Sequence, residues 1–117
     1  MAYPELGGRK LGHITPNRDD PWTTEAHKEL VKRGFRAVIA RRMAHHVEMK
    51  TAAMMIRLGE RHGTLTLNHA PCGSEPGETG GCHDYLPRIL PPGFSLTVHG
   101  TDANGNPFTR TYKGTTP

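Results

Sequence analysis

Cysteine is scarce in this chain: Cys72 and Cys82 are the only two. They could form one disulfide and no more, and eight histidines beside them make metal binding the competing use of the thiols. Aromatic residues are 6% and hydrophobic residues 34% of the sequence, so any core is modest and aliphatic. No apolar run approaches the ~18 residues that a membrane-spanning helix requires, so no spanning helix is expected. Residues 1–10 lack the apolar stretch of a signal peptide, a start that a domain cut from a longer protein would also show. No long basic run, internal repeat or low-complexity tract is present; the 14 glycines and 10 prolines fall at discrete turns. A length of 117 residues leaves no room for a second domain, and residues 1–117 are read as one unit.

What is there begins with charge. Fifteen Lys and Arg against 11 Asp and Glu give +4, with a pI near 9.4. That balance fits a polyanion such as nucleic acid, although on charge alone an ordinary basic protein is the simpler reading. The cations are scattered, so a positive surface has to be assembled by folding. Arg41 and Arg42 stand together just before the most informative segment, where they could hold phosphate or merely be a solvated strand end.

Residues 1–22 read as an irregular arm with Gly7-Gly8, Pro16-Asn17 and Asp19-Asp20-Pro21 turns and a lone Trp22 as anchor. Thr23 or Thr24 can cap a helix running to residue 32, ended by Gly34. Residues 35–43, with Val38 and Ile39, predict a strand. Residues 46–58 are helix-forming and apolar over much of the circumference, the mark of a helix covered on more than one side. Residues 64–68 alternate as a short strand. A helix over 84–90 follows, its Pro87 tolerable in a first turn. Strands at 95–99 and 108–112 flank Asn104-Gly105, a reverse-turn signal, and so short a link forces them to pair antiparallel.

The chemistry concentrates in three places: His46-Val47-Glu48 at a helix start, Pro71-Cys72 after a strand, and Cys82 leading into the next helix. Catalytic zinc takes three imidazole or thiolate ligands and keeps a fourth position for water. His46, Cys72 and Cys82 supply that set, and a helix N-terminus favours the thiolate form of a cysteine. Residues i and i+2 point about 200° apart inside a helix. His46 and Glu48 can therefore share a site only if His46 is still leaving the preceding loop. Glu48 would then sit beside the metal without binding it and move a proton.

These residues resemble the zinc-dependent deaminase superfamily, whose signature is H-x-E followed by P-C-x-x-C. Residues 46–53 (HVEMKTAA), 67–72 (LNHAPC), Gly81-Cys82 and 86–98 (LPRILPPGFSLTV) tighten the likeness to the SCP-type bacterial toxin deaminases. That group includes DNA cytosine deaminases carried as C-terminal domains of secreted polymorphic toxins. The likeness covers residues 44–114. It implies an α/β, cytidine deaminase-like three-layer fold, with a central mixed sheet of about five strands flanked by helices and a closing antiparallel hairpin. It implies Zn2+ as cofactor and hydrolysis of cytosine to uracil in DNA; single strands are slightly favoured because a duplex reader needs a wedge side chain to fill the gap left by the flipped base, and none is identified in the sequence. Asn68, Ala70, Val47 and His69 would contact the substrate, the Ala70 carbonyl accepting from the exocyclic amine. It further implies a cognate immunity protein and secretion by a parent toxin for action in a target-cell cytoplasm; a monomer without membrane partners is expected.

One departure stands out. The superfamily separates its cysteines by two residues; here residues 73–81 intervene, Gly-rich and acidic. His69 or His83 are the substitutes if Cys82 is not a ligand. Two rival readings remain: a His-metal nuclease using His45, His46 and His69, and a non-catalytic zinc-stabilised module that binds nucleic acid.

Overall fold

The computed structural model describes residues 2–70 and 80–115 of the chain. Its element order is β1 (Ala2–Leu6), β2 (Arg9–Lys10), α1 (Pro21–Lys32), α2 (Ala37–Met43), α3 (Val47–Leu58), β3 (His62–Leu67), α4 (Cys82–Ile89), β4 (Ser95–Thr101) and β5 (Pro107–Lys113). The strands form one mixed sheet in the order β2-β1-β3-β4-β5. β3 and β4 run parallel, and the remaining neighbours pair antiparallel. This is an α/β architecture, an open five-stranded mixed sheet with four helices, consistent with a cytidine deaminase-like fold.

The period-2 rule of strands decides which sheet face is covered. Ala2, Leu6, Leu65, Leu67, Leu96, Val98 and Tyr112 are buried, and the register aligns them across the strands. Tyr3, Thr66, His99, Thr109 and Thr111 alternate onto the other face and are exposed. Above the covered face lies α3, in which every residue from Val47 to Met55 is buried. It packs against α1, α4, β3 and β1. A helix surrounded on all sides has to be apolar all round, as its sequence predicts. Gly59 ends it in a left-handed conformation (φ 71°), where the Gly59 and Glu60 N–H groups donate to the Ile56 and Met55 carbonyls.

The order of elements places the functional end. β3 follows α3 after three residues, so the two run in opposite directions, and the α3 N-terminus lies near the carboxyl end of β3. α4 joins β3 to its parallel neighbour β4, so its N-terminus returns to that end as well. Crevices at the carboxyl ends of parallel strands are where open α/β sheets bind ligands.

Asp20, not Thr23 or Thr24, caps α1, its carboxylate accepting from the Trp22 amide ahead of both threonines, and three larger expectations need correction. Residues 35–43 are not a strand: Ala37–Met43 form α2, with Arg36 as the extended residue before it. Ala40, Met43, Ala44 and Val47 are buried while Val38 is 65% exposed, a helical spacing that two β-branched residues obscured. Residues 1–22 are not irregular throughout, because Ala2–Leu6 form an interior strand of the sheet. The Gly7-Gly8 link, with φ 56° and 82°, turns the chain into β2 in the left-handed geometry that tight hairpins need. Pro87 is not in a first turn. α4 starts at Cys82, two residues early, so Pro87 falls in the second turn. The four N-terminal amides of a helix have no intrahelical partner in any case, so Pro87 forfeits a single bond, to the His83 carbonyl.

The hairpin matches its turn signal. The Asp102 carboxylate accepts from the Asn104 and Asn106 amides at 2.9 Å each, and Gly105 takes φ 79°.

Candidate metal centre

His46 is the residue before α3, with extended backbone (φ −65°, ψ 137°), and Glu48 lies in the first helical turn. Because His46 has not entered the helix, its ring is released from the 100°-per-residue rotation that would have turned it away from Glu48. Cys82 is the first residue of α4 and fully buried, and Gly81 before it is extended. The two helix starts therefore meet. The His46 Nδ1 and Cys82 Sγ atoms are 3.5 Å apart. One ligand atom each from His46, Glu48 and Cys82 lie within 4.8 Å of one another. Glu48 is 2% exposed, so this carboxylate sits in a desolvated pocket at the positive end of a helix.

This donor set fits zinc. Tetrahedral zinc with Zn–S near 2.3 Å and Zn–N near 2.0–2.1 Å separates a sulfur from a nitrogen ligand by about 3.6 Å, close to the distance found. Cys72, the third expected ligand, lies outside the described residues, as does Pro71. The disulfide alternative requires Cys72 and lies outside them too. His69 and His83, the substitute ligands, are not in the cluster. His69 Nδ1 donates to the Ala70 carbonyl at 2.9 Å, and His83 Nδ1 is 2.7 Å from the Tyr112 hydroxyl.

A cavity of about 450 Å³ opens beside the cluster. His46 and Glu48 line it, and so do Val47, Asn68, His69 and Ala70, the four residues expected to touch substrate. Asn68, His69 and Ala70 come from the chain leaving β3. The Ala70 carbonyl already accepts from His69, which fixes the proton of that ring on Nδ1.

The chain matches the family model of the SCP1.201-like deaminases over residues 8–116. It belongs to that family. No curated protein and no solved structure gives a significant match. Family membership and cluster agree: this is a deaminase domain with a group of side chains able to hold a metal. The family match also includes most of the N-terminal arm, outside the residues 44–114 that carry the likeness.

Three features of the candidate site have little or no signature in the sequence. Ala2, Ile14 and Pro16 form part of the cavity wall. Ile14 reaches it because its amide donates to the Ala2 carbonyl at 2.8 Å, folding the arm back over β1. His45 also lines the cavity, its ring 4.8 Å from that of His46. Burial, aided by the charges of His46, Arg18 and Lys50, pulls the His45 imidazole below its ordinary value. The third is Lys50, fully buried one turn beyond His46. Its ammonium donates to the carbonyls of Thr15 (2.7 Å) and Asn17 (2.8 Å) and stands 3.4 Å from Asp20 Oδ2. It ties the arm segment that carries Ile14 and Pro16 to the helix that carries Glu48. The doubled histidine was a visible signal; the role of Lys50 had none.

Proposed function

We propose that the domain is a zinc-dependent DNA cytosine deaminase, converting cytosine to uracil by hydrolysis and serving as the toxic domain of an interbacterial toxin. The observation that carries the reading is the His46–Glu48–Cys82 cluster opening onto a cavity of nucleoside size. His46 and Cys82, with Cys72, would hold the ion. Zinc, when bound, would lower the pKa of a water molecule into the neutral range.

The chain's own residues do the rest. Glu48 takes a proton from the attacking water and delivers it to N3 of the ring, then carries the remaining hydroxyl proton to the amine that leaves C4. Ammonia departs and a carbonyl remains. Burial of Glu48 beside the cavity serves this exchange by keeping bulk water from competing for the proton it carries. Asn68, His69 and Ala70 line the wall where hydrogen bonds to the base edge are needed, and Val47 gives it an apolar surface.

DNA is the substrate favoured by the positive charge and by the resemblance to toxin deaminases. A base has to leave the duplex stack to be reached. A single strand spares the domain that unpairing cost, which slightly favours single strands as the substrate form. A cognate immunity protein, a monomeric state and delivery by a parent toxin belong to the same reading.

The test uses purified domain on matched single- and double-stranded oligonucleotides, scoring uracil with and without a zinc chelator. Glu48→Ala is expected to keep fold and zinc and to lose at least 10²-fold in rate, the scale of a general acid–base contribution. Turnover at the wild-type rate in Glu48→Ala would remove the mechanism. Strand breaks without uracil excision would install a nuclease in its place.

A further inference from the structure

A second cleft, of about 350 Å³, adjoins the first. Arg18 from the arm, Thr24 and Lys28 from α1, and Arg41 from α2 line it, and His45 lines both cavities. Three cations line this space, and no carboxylate is among its described lining residues. Lys28 is partly engaged, 3.8 Å from Glu25 Oε1, and Glu25 also faces Arg57. Neither Arg18 nor Arg41 has an ion pair among the described residues. Both residues are exposed, so an anion entering the concavity can meet two guanidiniums that no carboxylate among the described residues neutralises. The planar fork of arginine matches two oxygens of a phosphate.

We infer that this cleft is a phosphate subsite, holding a phosphodiester of the DNA strand whose cytosine occupies the adjoining cavity. The inference rests on the DNA reading above and deepens it. A shared wall, the single side chain of His45, is what favours the substrate backbone over a separate acidic partner. A base in one cavity places the neighbouring sugar-phosphate at the rim of the other. Arg41 thus acts as one of the two roles its sequence position allowed, while Arg42 turns elsewhere, its guanidinium 3.3 Å from the Gly80 carbonyl.

The experiment compares two double variants of equal charge. Arg18→Ala/Arg41→Ala empties the cleft of its guanidiniums. Arg61→Ala/Lys113→Ala removes two exposed cations at the opposite end of the sheet, where the Arg61 carbonyl accepts from the Ser95 amide and Lys113 is the register partner of Ser95. Binding of a fluorescent, cytosine-free single-stranded oligonucleotide is followed by anisotropy across a salt series. The cleft variant is expected to weaken binding by about an order of magnitude and to flatten the salt slope by about 0.7 for each phosphate that is no longer neutralised. The distal variant is expected to stay near wild type. On a cytosine oligonucleotide the cleft variant should raise KM and leave kcat in place. Equal losses in both variants, an unchanged slope in the cleft variant, or an equal loss of binding to polyglutamate would overturn the subsite. Absence of uracil with the wild-type domain would instead sink the deaminase reading, and the anisotropy comparison would still decide the cleft.

Discussion

Lys50→Met is the substitution whose sign is hardest to guess and whose outcome teaches most. A fully buried ammonium is costly to desolvate, and replacing buried ions by apolar side chains of similar volume often stabilises a protein. Met matches the Lys stem in length and would be surrounded by the apolar residues of α3. Against that stand three contacts: two carbonyl acceptors at 2.7 and 2.8 Å and the Asp20 carboxylate at 3.4 Å. Hydrogen bonds to a charged group contribute about 1.5–3 kcal/mol each. The full sum is not forfeited, because Thr15 and Asn17 are exposed and the Asp20 side chain is 25% exposed, so water can replace the ammonium at all three. We expect a net destabilisation of about 2–4 kcal/mol. With an unfolding entropy of about 2.1 cal/mol/K per residue, that lowers Tm by roughly 8–16 °C.

Thermal unfolding followed by circular dichroism measures this directly. Asp20→Asn is the companion variant. It keeps an oxygen that can still accept from the Trp22 amide at the α1 start, a bond of 2.7 Å in the wild type, and removes only the ion pair, so its cost should stay below about 1 kcal/mol. The functional effect has its own signature: releasing residues 14–17 from α3 opens the cavity wall without touching His46, Glu48 or Cys82. KM for a cytosine oligonucleotide should therefore rise more than kcat falls. A Lys50→Met domain that melts at or above the wild-type temperature would refute the reasoning, since the desolvation cost would then outweigh the three contacts.

Two further perturbations reach the site from other directions. At Gly100 a Cβ would collide with the His69 carbonyl and approach the Ala70 amide, both backbone atoms that cannot swing aside; Gly100→Ala should cost about 1–3 kcal/mol in melting experiments and depress deamination further by shifting the segment that carries Asn68 to Ala70. The Tyr112 hydroxyl is pushed up to about 12, chiefly by burial, with Glu48, Cys82 and Asp84 adding to the rise and Arg110 opposing it. Below pH 10 folded and unfolded chains both hold that proton; between pH 10 and 12 only the folded chain does, so stability falls as pH rises through this window, by up to about 1.4 kcal/mol per pH unit. Tyr112→Phe should shallow that alkaline decline in denaturant titrations, and an identical decline in both proteins would show that other groups govern it.

How much of this was legible in the sequence depends on where the information lay. The burial of α3 was readable because it is written in the composition of one continuous segment, and the β4–β5 hairpin because Asn104-Gly105 is a local signal. β1 was hidden. Its inward positions, Ala2, Pro4 and Leu6, include a proline that argues against an interior strand, and its main partner, β3, lies some sixty residues away. The helix α2 was misread because Val38 and Ile39 favour strands by propensity, whereas the burial of Ala40, Met43 and Ala44 is decided by what packs on them.

The same distinction separates the two halves of the site. His46, Glu48 and Cys82 could be picked out from their spacing because each is the kind of side chain a metal or a proton requires, and because a helix start reconciles a two-residue spacing with a shared site. The tether through Lys50 has the opposite character. Its chief acceptors are the carbonyls of Thr15 and Asn17, and a carbonyl is the same group in every residue, so nothing in the side chains at 15 or 17 advertises the contact. A lysine among the apolar residues of α3 shows nothing of the contact it makes. Taken alone it has the look of a solvated break in the stripe. Only the way the arm folds over β1, set by the pairing of Ala2 with Ile14, brings two carbonyls over that lysine and turns an apparent flaw in the pattern into the strut that holds the cavity wall.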